Sequence, residues 1–234
     1  MGVVDDVTAA VRDVVETPFS TRVGIVVPES QDVALQNGAV QVDATYLYAD
    51  LADSSKAAQV LKQEVTAKII RAYLNAATRV LRHYNGAIRS FDGDRVMAVF
   101  LGTMKNTNAA RAALGINWAV EKVVRPKINT QWTDLKDYWA LNHGVGIATG
   151  NALMVRGGVR NNNDLVSIGE APNVAAKLSE LRGTPSTYVT YAVHGALEPV
   201  AREFNGQNMW IDYGTQTIGG KVFKVAASTW WSSP

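Results

Sequence analysis

The sequence predicts an α+β protein with a ferredoxin-like βαββαβ core, extra C-terminal strands and helices on one face of the sheet. Three observations predict it. A β-prone segment at 44–51 precedes a long helical repeat, Asp92-Gly93 separates two apolar runs, and a helix and a strand follow. Asp-Gly between two apolar runs is typical of a β-hairpin. This order of elements indicates a sheet of the ferredoxin-like kind.

The N-terminal part predicts a small unit in front of the main domain. Valines recur on one side of residues 3–16, which indicates a short amphipathic helix. Residues 29–42 are polar with scattered valines and are typical of a loop or an edge hairpin. We therefore expect residues 1–41 to form an N-terminal helix with a loop or hairpin, and residues 42–234 to form the main domain.

The core elements follow in chain order. Apolar side chains recur every three to four positions over 54–84, which predicts one bent helix or two helices ending at Asn85-Gly86. Residues 87–91 and 95–101 are the two hairpin strands. The later segments are predicted, in order, as a helix at 107–124, an irregular segment at 125–140, strands at 142–148 and 152–156 joined through Thr149-Gly150, a loop at 157–164, a strand at 165–168, a helix at 170–182, a strand at 186–190, a short helix at 191–198 and strands at 208–213 and 221–227.

Composition excludes several classes of function. The 234 residues contain no cysteine, which excludes disulfides, thiolate zinc sites, iron–sulfur clusters and cysteine nucleophiles. The net charge of +2 lacks the basic excess of a nucleic-acid binder. No apolar run approaches the roughly 18 residues that cross a bilayer. The N-terminus carries acids where a signal peptide has lysines, and Asp6 stands where myristoylation requires Ser or Thr. We expect a cytoplasmic protein.

Two carboxylates are the first candidate site. Asp50 ends the strand at 44–51, and Asp94 lies in the hairpin turn. In a βαββ unit the first strand commonly lies beside that hairpin, so both carboxylates can meet at one end of the sheet. Such a pair suits Mg²⁺ or Mn²⁺, which prefer hard oxygen ligands together with substrate phosphates. The alternative is that Asp50 caps the next helix and Asp94 is an ordinary turn residue.

The segment from Leu51 to Ser55 precedes a helix, and a helix N-terminus offers free N–H groups to a phosphate. Leu51 and Ser54 are therefore candidate substrate-binding positions. The alternative is an ordinary N-cap at Asp53 or Ser54.

The helix at 170–182 has an inner apolar face and a polar face. Asn173 and Lys177 are four residues apart on the polar face, so both can reach one ligand. An amide and an ammonium group suit a ribose and a phosphate. The alternative is a solvated surface without a ligand.

Several segments together resemble the catalytic domain of class III nucleotidyl cyclases over about residues 44–228. YLYADLADSS resembles the first metal motif of that family, and FDGDRVMAVF resembles the second metal hairpin. HGVGIATGNALMVRGGV resembles its glycine-containing strand pair, and SIGEAPNVAAKLSEL its "iG-x-x-x-N-x-A-x-[RK]-L" helix. Motifs in the family's order are more specific than any one of them.

The resemblance implies a head-to-tail homodimer with active sites at the interface. Asp50 and Asp94 of one subunit would bind two divalent ions, Mg²⁺ or Mn²⁺. Asn173 of the other subunit would orient the ribose, and Lys177 would neutralise the transferring phosphate as catalytic residues. The family usually has Arg at this position, and Lys lacks the bidentate fork of a guanidinium.

The base-reading positions depart from the family's purine patterns. Members that use ATP have Lys three residues before the hairpin glycine and Asp or Thr three residues before the glycine of the helix motif. Ser90 and Val166 stand there, and the Glu of the guanylate pattern is also absent. The combination is similar to the Pycsar antiphage pyrimidine cyclases, which implies cyclic UMP or cyclic CMP as product. Tyr48 lies on the strand face of Asp50 and is a candidate base contact.

The resulting hypothesis is a uridylate cyclase whose product activates a separate effector protein. UTP is favoured over CTP as substrate, and the 3′-oxygen attacks the α-phosphate with release of pyrophosphate. Lys221 is a further candidate for the β- and γ-phosphates, as is Arg160. The alternatives are a cytidylate cyclase, an adenylate or guanylate cyclase with unusual base readers, a catalytically inactive nucleotide-binding dimer module, and an RNA-binding ferredoxin-like domain.

Overall fold

The computed structural model describes residues 2–234 and contains a nine-stranded mixed sheet with a separate two-stranded hairpin. The strands in chain order are β1 (Ser20–Val23), β2 (Gly38–Ala52), β3 (Ala87–Asp92), β4 (Arg95–Phe100), β5 (Asn142–Val159), β6 (Asn162–Ile168), β7 (Thr187–Thr190), β8 (Glu203–Phe204), β9 (Gln207–Asn208), β10 (Ile211–Ile218) and β11 (Lys221–Ser228). The helices are α1 (Val3–Glu16), α2 (Ser54–Val60), α3 (Gln63–His83), α4 (Lys105–Ala119), α5 (Arg125–Gln131), α6 (Glu170–Ser179), α7 (Tyr191–Gly195) and α8 (Pro199–Arg202).

The strand order β10-β11-β7-β5-β2-β4-β3 ends in the ferredoxin-like order β5-β2-β4-β3, with β3 at the edge of the sheet. The predicted fold class is confirmed. Residues 54–84 form two helices, α2 and α3, and Asn85 adopts the left-handed conformation that ends α3.

The long strands β2 and β5 extend beyond the core. Their far halves pair with each other, with β1 on one side and with β6 on the other. We call this extension the arm and define it as β1, β6 and residues 38–43 and 151–159. The other end of the sheet carries Asp50.

Helices cover both faces of the sheet, so the expectation of helices on one face is wrong. Side chains of α3 and α4 pack on the face that bears Leu47 and Leu51, whereas α6 packs on the face that bears Tyr46. Glycine in β5 allows α6 to pack closely on this second face of the sheet. A Cβ on Gly146 would lie only 2.1 Å from the carbonyl oxygen of Ala175 in α6. The helix backbone therefore lies directly on the strand.

The expected break at Thr149-Gly150 and the expected loop at 157–164 are both wrong. β5 runs unbroken from Asn142 to Val159, because β2 pairs with it across this point and the Thr149 hydroxyl donates to the carbonyl of Ala44. The glycines at 157 and 158 lie within the β5–β6 pairing, and Asn161 makes the turn with a positive φ.

The segment expected to be irregular at 125–140 begins as helix α5. A π-helical turn at Val120–Val124 joins α4 to α5, and Pro126 lies in the first turn of α5. Proline has no backbone N–H to donate, and the π-helical turn directly before it, in which the Arg125 N–H bonds the Val120 carbonyl, changes the hydrogen-bond pattern at this point.

The N-terminal helix is confirmed as α1, and β1 pairs in parallel with the start of β2. Since β2 begins at Gly38, the expected boundary at residue 41 falls inside a strand. Over residues 2–234, no helix is both long enough and apolar enough to cross a membrane.

Candidate active site

Asp50 and Asp94 lie at the same end of the sheet, as the sequence predicts. Asp50 is near the end of β2 and pairs in register with Arg95, the residue that follows Asp94. Asp94 is half-buried in the turn between β3 and β4. The negative charge of Asp94 acts on Asp50 strongly enough to contribute to its raised pKa.

Two arginines neutralise Asp50 in the folded chain. Arg182 donates from Nη2 to Asp50 Oδ2 at 2.8 Å, and Arg95 Nε lies 3.5 Å from Asp50 Oδ1 as an ion pair without hydrogen-bond geometry. Burial raises the pKa of Asp50, with a further contribution from Asp94, and both arginines oppose the rise. The carboxylate therefore lies in a position where cations are held.

The donor set fits a divalent cation that takes its remaining ligands from water or substrate. Carboxylate oxygens are the ligands that Mg²⁺ and Mn²⁺ prefer. Within residues 2–234 no group of three or more His, Cys, Asp or Glu side chains is placed to hold a metal. Asp50 and Asp94 are therefore candidates for a two-carboxylate site rather than for a closed protein cage.

A chain of ion pairs connects Asp50 to α6. Arg95 Nη1 lies 3.4 Å from Glu180 Oε1, and Lys177 donates from Nζ to Glu180 Oε2 at 2.8 Å. The hydrogen bond from Lys177 lowers the pKa of Glu180. Sequence reasoning missed Arg95, Glu180 and Arg182. Arg95 could have been found from its place next to Asp94, but Arg182 is 132 positions from Asp50 and only the tertiary fold brings it there.

Tyr48 and Ser90 share one row of side chains. Ser90 pairs with Met97 across β3 and β4, and Met97 pairs with Tyr48 across β4 and β2. Register partners point to the same face of a sheet. Tyr48 lies two residues before Asp50 on that same face, as predicted. Burial raises the pKa of Tyr48, and the charge of Arg95 opposes the rise.

The polar face of α6 is exposed. Asn173 and Lys177 both point away from the sheet, whereas Val174 and Leu178 are buried against it. The division of the helix into two faces is as the sequence predicts. Lys177 contacts Glu180 of its own chain in the absence of a ligand.

Val166 lies on the arm, 48% exposed, in a row with Val155 and Ala39. Its neighbour Ser167 approaches the hydroxyl of Tyr46 on β2 closely enough to oppose the rise that burial causes in the pKa of Tyr46. The arm therefore curls back toward the sheet face that bears Tyr46 and Tyr48.

Three further residues, Lys221, Leu51 and Ser54, are predicted to contact the substrate. Lys221 begins β11 and forms an ion pair with Glu170 at the start of α6. Leu51 is buried in the core on the α3 face, so its side chain is not available to a substrate. Ser54 is half-buried and begins α2.

Sequence comparisons identify relatives over most of the chain, although no family model matches it. The chain is 43% identical over 196 residues to a uridylate cyclase from Rhodovulum sp. (strain MB263), covering 83% of this chain and 82% of that protein. It is 40% identical to a uridylate cyclase from Xanthomonas perforans, covering 90% of each chain. It is 39% identical over 233 residues to a uridylate cyclase from Burkholderia cepacia, covering 98% of each chain.

Solved structures share the fold at low identity. The adenylyl cyclase CyaB from P. aeruginosa superposes with a TM-score of 0.69 at 18% identity, over 81% of this chain and 95% of that one. The guanylate cyclase domain of RhGC from Catenaria anguillulae, solved in complex with GTP, has a TM-score of 0.65 at 10% identity, over 82% of this chain and 99% of that one.

Proposed function

The chain belongs to the uridylate cyclase family, and from that premise we propose that it converts UTP into 3′,5′-cyclic UMP and pyrophosphate. The observation that carries the proposal is 39% identity to a uridylate cyclase over 98% of both chains. The pair of Asp50 and Asp94 beside the row of Tyr48 and Ser90 supports the same reaction. The catalytic unit expected over 42–234 would then include all of β2 and begin before Val42.

The reaction needs groups from two chains. In this arrangement Asp50 and Asp94 of one chain hold two Mg²⁺ or Mn²⁺ ions, which when bound supply Lewis-acid activation of the 3′-oxygen and neutralise the triphosphate. Asn173 of the second chain donates to the ribose and orients the 3′-hydroxyl. Lys177 leaves Glu180 and places its ammonium beside the α-phosphate, where negative charge builds up in the transition state.

Recognition of uracil is assigned to Ser90, Val166 and Tyr48. Ser90 carries a hydroxyl that both donates and accepts hydrogen bonds, which suits the edge of uracil. Val166 offers no partner to an exocyclic purine amine, and an unmatched polar group in a closed site costs selectivity. Tyr48 lies between Ser90 and the metal site and contacts the base. Lys221 and Ser54 are proposed to contact the β- and γ-phosphates.

The direct test is to incubate the purified full chain with each of ATP, GTP, CTP and UTP plus Mn²⁺, and to identify products by mass spectrometry. Cyclic UMP from UTP alone, or at least tenfold above every other product, is expected. A dominant cyclic AMP, cyclic GMP or cyclic CMP product would overturn the substrate assignment. Asp50→Ala and Asp94→Ala should each abolish the product, whereas Lys127→Gln, at an exposed position on α5, is a surface control that should keep it.

We further propose that cyclic UMP acts in the cytoplasm as an antiphage signal read by a separate effector protein. The resemblance to the Pycsar cyclases supports this role. Cells that express the chain together with the effector gene of its own locus should resist infection in a plaque assay. Loss of resistance with Asp50→Ala is expected, and resistance that survives this change would contradict the signalling role.

A further inference from the structure

Residues 27–33, which precede β2, form a segment that we call the strap. Val27 and Val33 pack into the core on the α6 face of the sheet, and the side chain of Tyr48 packs on the same core. Val33 is 2% exposed, and Pro28 is also buried. The strap therefore lies on the face of the sheet that bears the proposed base contacts.

One end of the strap is bound to the edge strand β3 by Arg89. Its Nη1 donates to the carbonyl of Pro28 at 3.0 Å, and its Nη2 donates to Glu29 Oε1 at 2.9 Å. Nη1 also donates to Glu29 Oε2 at 3.3 Å, so the guanidinium binds both carboxylate oxygens. The Arg89 side chain is only 15% exposed, which shields these contacts from solvent on the arginine side.

A bulge in β3 gives Arg89 its direction. The pairing of β3 with β4 shifts in register between Ile88 and Ser90, so Arg89 has no partner in β4. Ile88 packs on the core of the α3 face, and Phe91 lies beside side chains of α3. The two residues between them, Arg89 and Ser90, therefore both point to the α6 face. Bulges that redirect a side chain in this way are common next to active sites.

The other end of the strap lies beside β6, the strand that carries Val166. The 3₁₀ turn at Ser30–Asp32 is next to β6, and the Asp32 side chain fixes this turn by accepting from the N–H of Glu29 at 2.9 Å. Leu165 of β6 packs on the same core as the valines of the strap. The strap therefore runs from the edge strand β3 to the arm strand β6.

This placement closes one side of the space between the proposed base contacts. Ser90 and Val166 have short side chains, so they do not by themselves limit the size of a base. A purine has an additional fused ring, and a fixed wall that this ring would strike excludes it, because selectivity can come from a clash with the wrong ligand. We propose that the strap, held by Arg89 and Glu29, is this wall and makes the site selective for pyrimidine nucleotides. The inference rests on the proposed function, and Arg89 and Glu29 act in it as positioning residues.

Loosening the strap tests this selectivity. Initial rates with UTP and with ATP, each with Mn²⁺, are measured for the full wild-type chain, Arg89→Ala and Glu29→Ala. Each variant should raise KM for UTP about fivefold with little change in kcat, and should lower the ratio of kcat/KM for UTP over ATP about tenfold. Glu29→Ala should fold normally, since the side chain of Glu29 is 62% exposed. Arg79→Ala is the matched control, because Arg79 lies on α3 at the opposite face of the sheet, and it should keep the wild-type ratio.

The ratio separates selectivity from stability, because a merely structural role of the ion pair would lower the turnover of both nucleotides alike. An unchanged ratio in Arg89→Ala and Glu29→Ala would overturn the proposal. The double variant should lose no more selectivity than either single variant, since both changes break the same contact. Additive losses would overturn the assignment to one ion pair.

Binding measurements separate this inference from the proposed function. Titrations with α,β-methylene UTP and α,β-methylene ATP measure the same preference without turnover. A wild-type chain that forms no cyclic UMP would refute the proposed function, whereas a preference for the UTP analogue that is lost in Arg89→Ala would still support the role of the strap. Formation of cyclic UMP together with the same analogue preference in wild type and Arg89→Ala would refute the role of the strap alone.

Discussion

At the scale of single residues, the two arginines on Asp50 set the charge balance of the candidate site. Arg182 is tied to the end of α6 by a second hydrogen bond, from Nη1 to the carbonyl of Ser179 at 2.9 Å. Its guanidinium lies on Asp50 Oδ2 at the distance of a charge-assisted hydrogen bond. A divalent ion on this oxygen must displace it.

Removing Arg182 should strengthen metal binding. Arg182→Gln is expected to raise the affinity for Mn²⁺ about threefold to fivefold, because a partly exposed ion pair competes by up to about 1 kcal/mol. Isothermal titration calorimetry in the absence of nucleotide measures this change, with Lys127→Gln on α5 as the control. Weaker binding by Arg182→Gln would show that the arginine supports the metal instead of competing with it.

His143 adds a pH dependence of stability. It is buried at the start of β5, and burial, with a smaller contribution from the charge of Arg125, lowers its pKa from 6.5 to about 3. In the unfolded chain the imidazole of His143 binds a proton near pH 6.5, whereas in the folded chain it binds one only near pH 3. The stability contributed by neutral His143 is therefore complete above pH 6.5 and is lost as the pH falls toward 3.

Between pH 7.5 and pH 5 the free energy of unfolding should fall by roughly 2 kcal/mol through this group. In His143→Gln this part of the pH dependence should vanish. Urea titrations of both proteins at several pH values provide the comparison. Parallel curves for the two proteins would contradict the assignment.

At the scale of elements, the contact between α6 and β5 positions the polar face of α6, which bears the proposed catalytic residues Asn173 and Lys177. A Cβ on Gly146 would lie 2.1 Å from the carbonyl oxygen of Ala175 and 2.4 Å from the amide nitrogen of Ser179, both of them backbone atoms. Neither atom can yield without moving the helix. Asn173 and Lys177 depend on this placement because they lie on the outer face of the same helix.

Gly146→Ala should therefore destabilise the protein by about 1–3 kcal/mol, as overpacking of a core does. Differential scanning calorimetry should record a loss of several degrees in melting temperature and a parallel loss of cyclase activity at 25 °C. Gly195→Ala is the matched control, because Gly195 lies in α7 and its Cβ would meet nothing within 4 Å. Equal melting temperatures for the two variants would refute this account of the packing.

At the scale of the whole molecule, the proposed site combines groups from two chains. Asp50 and Asp94 lie at one end of the sheet, and Asn173 and Lys177 lie on the exposed face of α6. A head-to-tail pair of chains would bring the carboxylates of each chain to the α6 face of the other, once at each site. On this proposal the activity depends on association.

Mixing two inactive variants tests the two-chain site. Asp50→Ala and Asn173→Ala chains, each inactive alone, should recover up to about a quarter of wild-type activity when mixed, because half of the random dimers are mixed and each has one intact site. Asp50→Ala mixed with Asp94→Ala is the control and should stay inactive, since both changes fall on the same half of a site. Recovery in this control, or none in the first mixture, would contradict the two-chain site.

The fold class, the hairpin with Asp92-Gly93, the faces of α6 and the meeting of Asp50 with Asp94 were all predictable from local signals. Turn residues and apolar periodicity act over a few positions, and the order of elements then restricts which strands pair. The same local signals gave two wrong predictions, a strand break at Thr149-Gly150 and a loop at 157–164. There the long ladder of β5 with β2 and β6 outweighs the local preference of glycine for turns.

The sequence by itself therefore determined the core topology, the metal-binding carboxylates as candidates and the family resemblance that the relatives confirm. Only the tertiary structure decided that α6 covers the second face, that Arg182 and Arg95 hold Asp50, and that the arm brings Ser167 to Tyr46. The physical reason is the distance along the chain over which each kind of interaction acts. Periodicity and turn chemistry are properties of neighbouring residues, whereas helix docking on glycine and ion pairs across 132 positions depend on where the whole chain has folded.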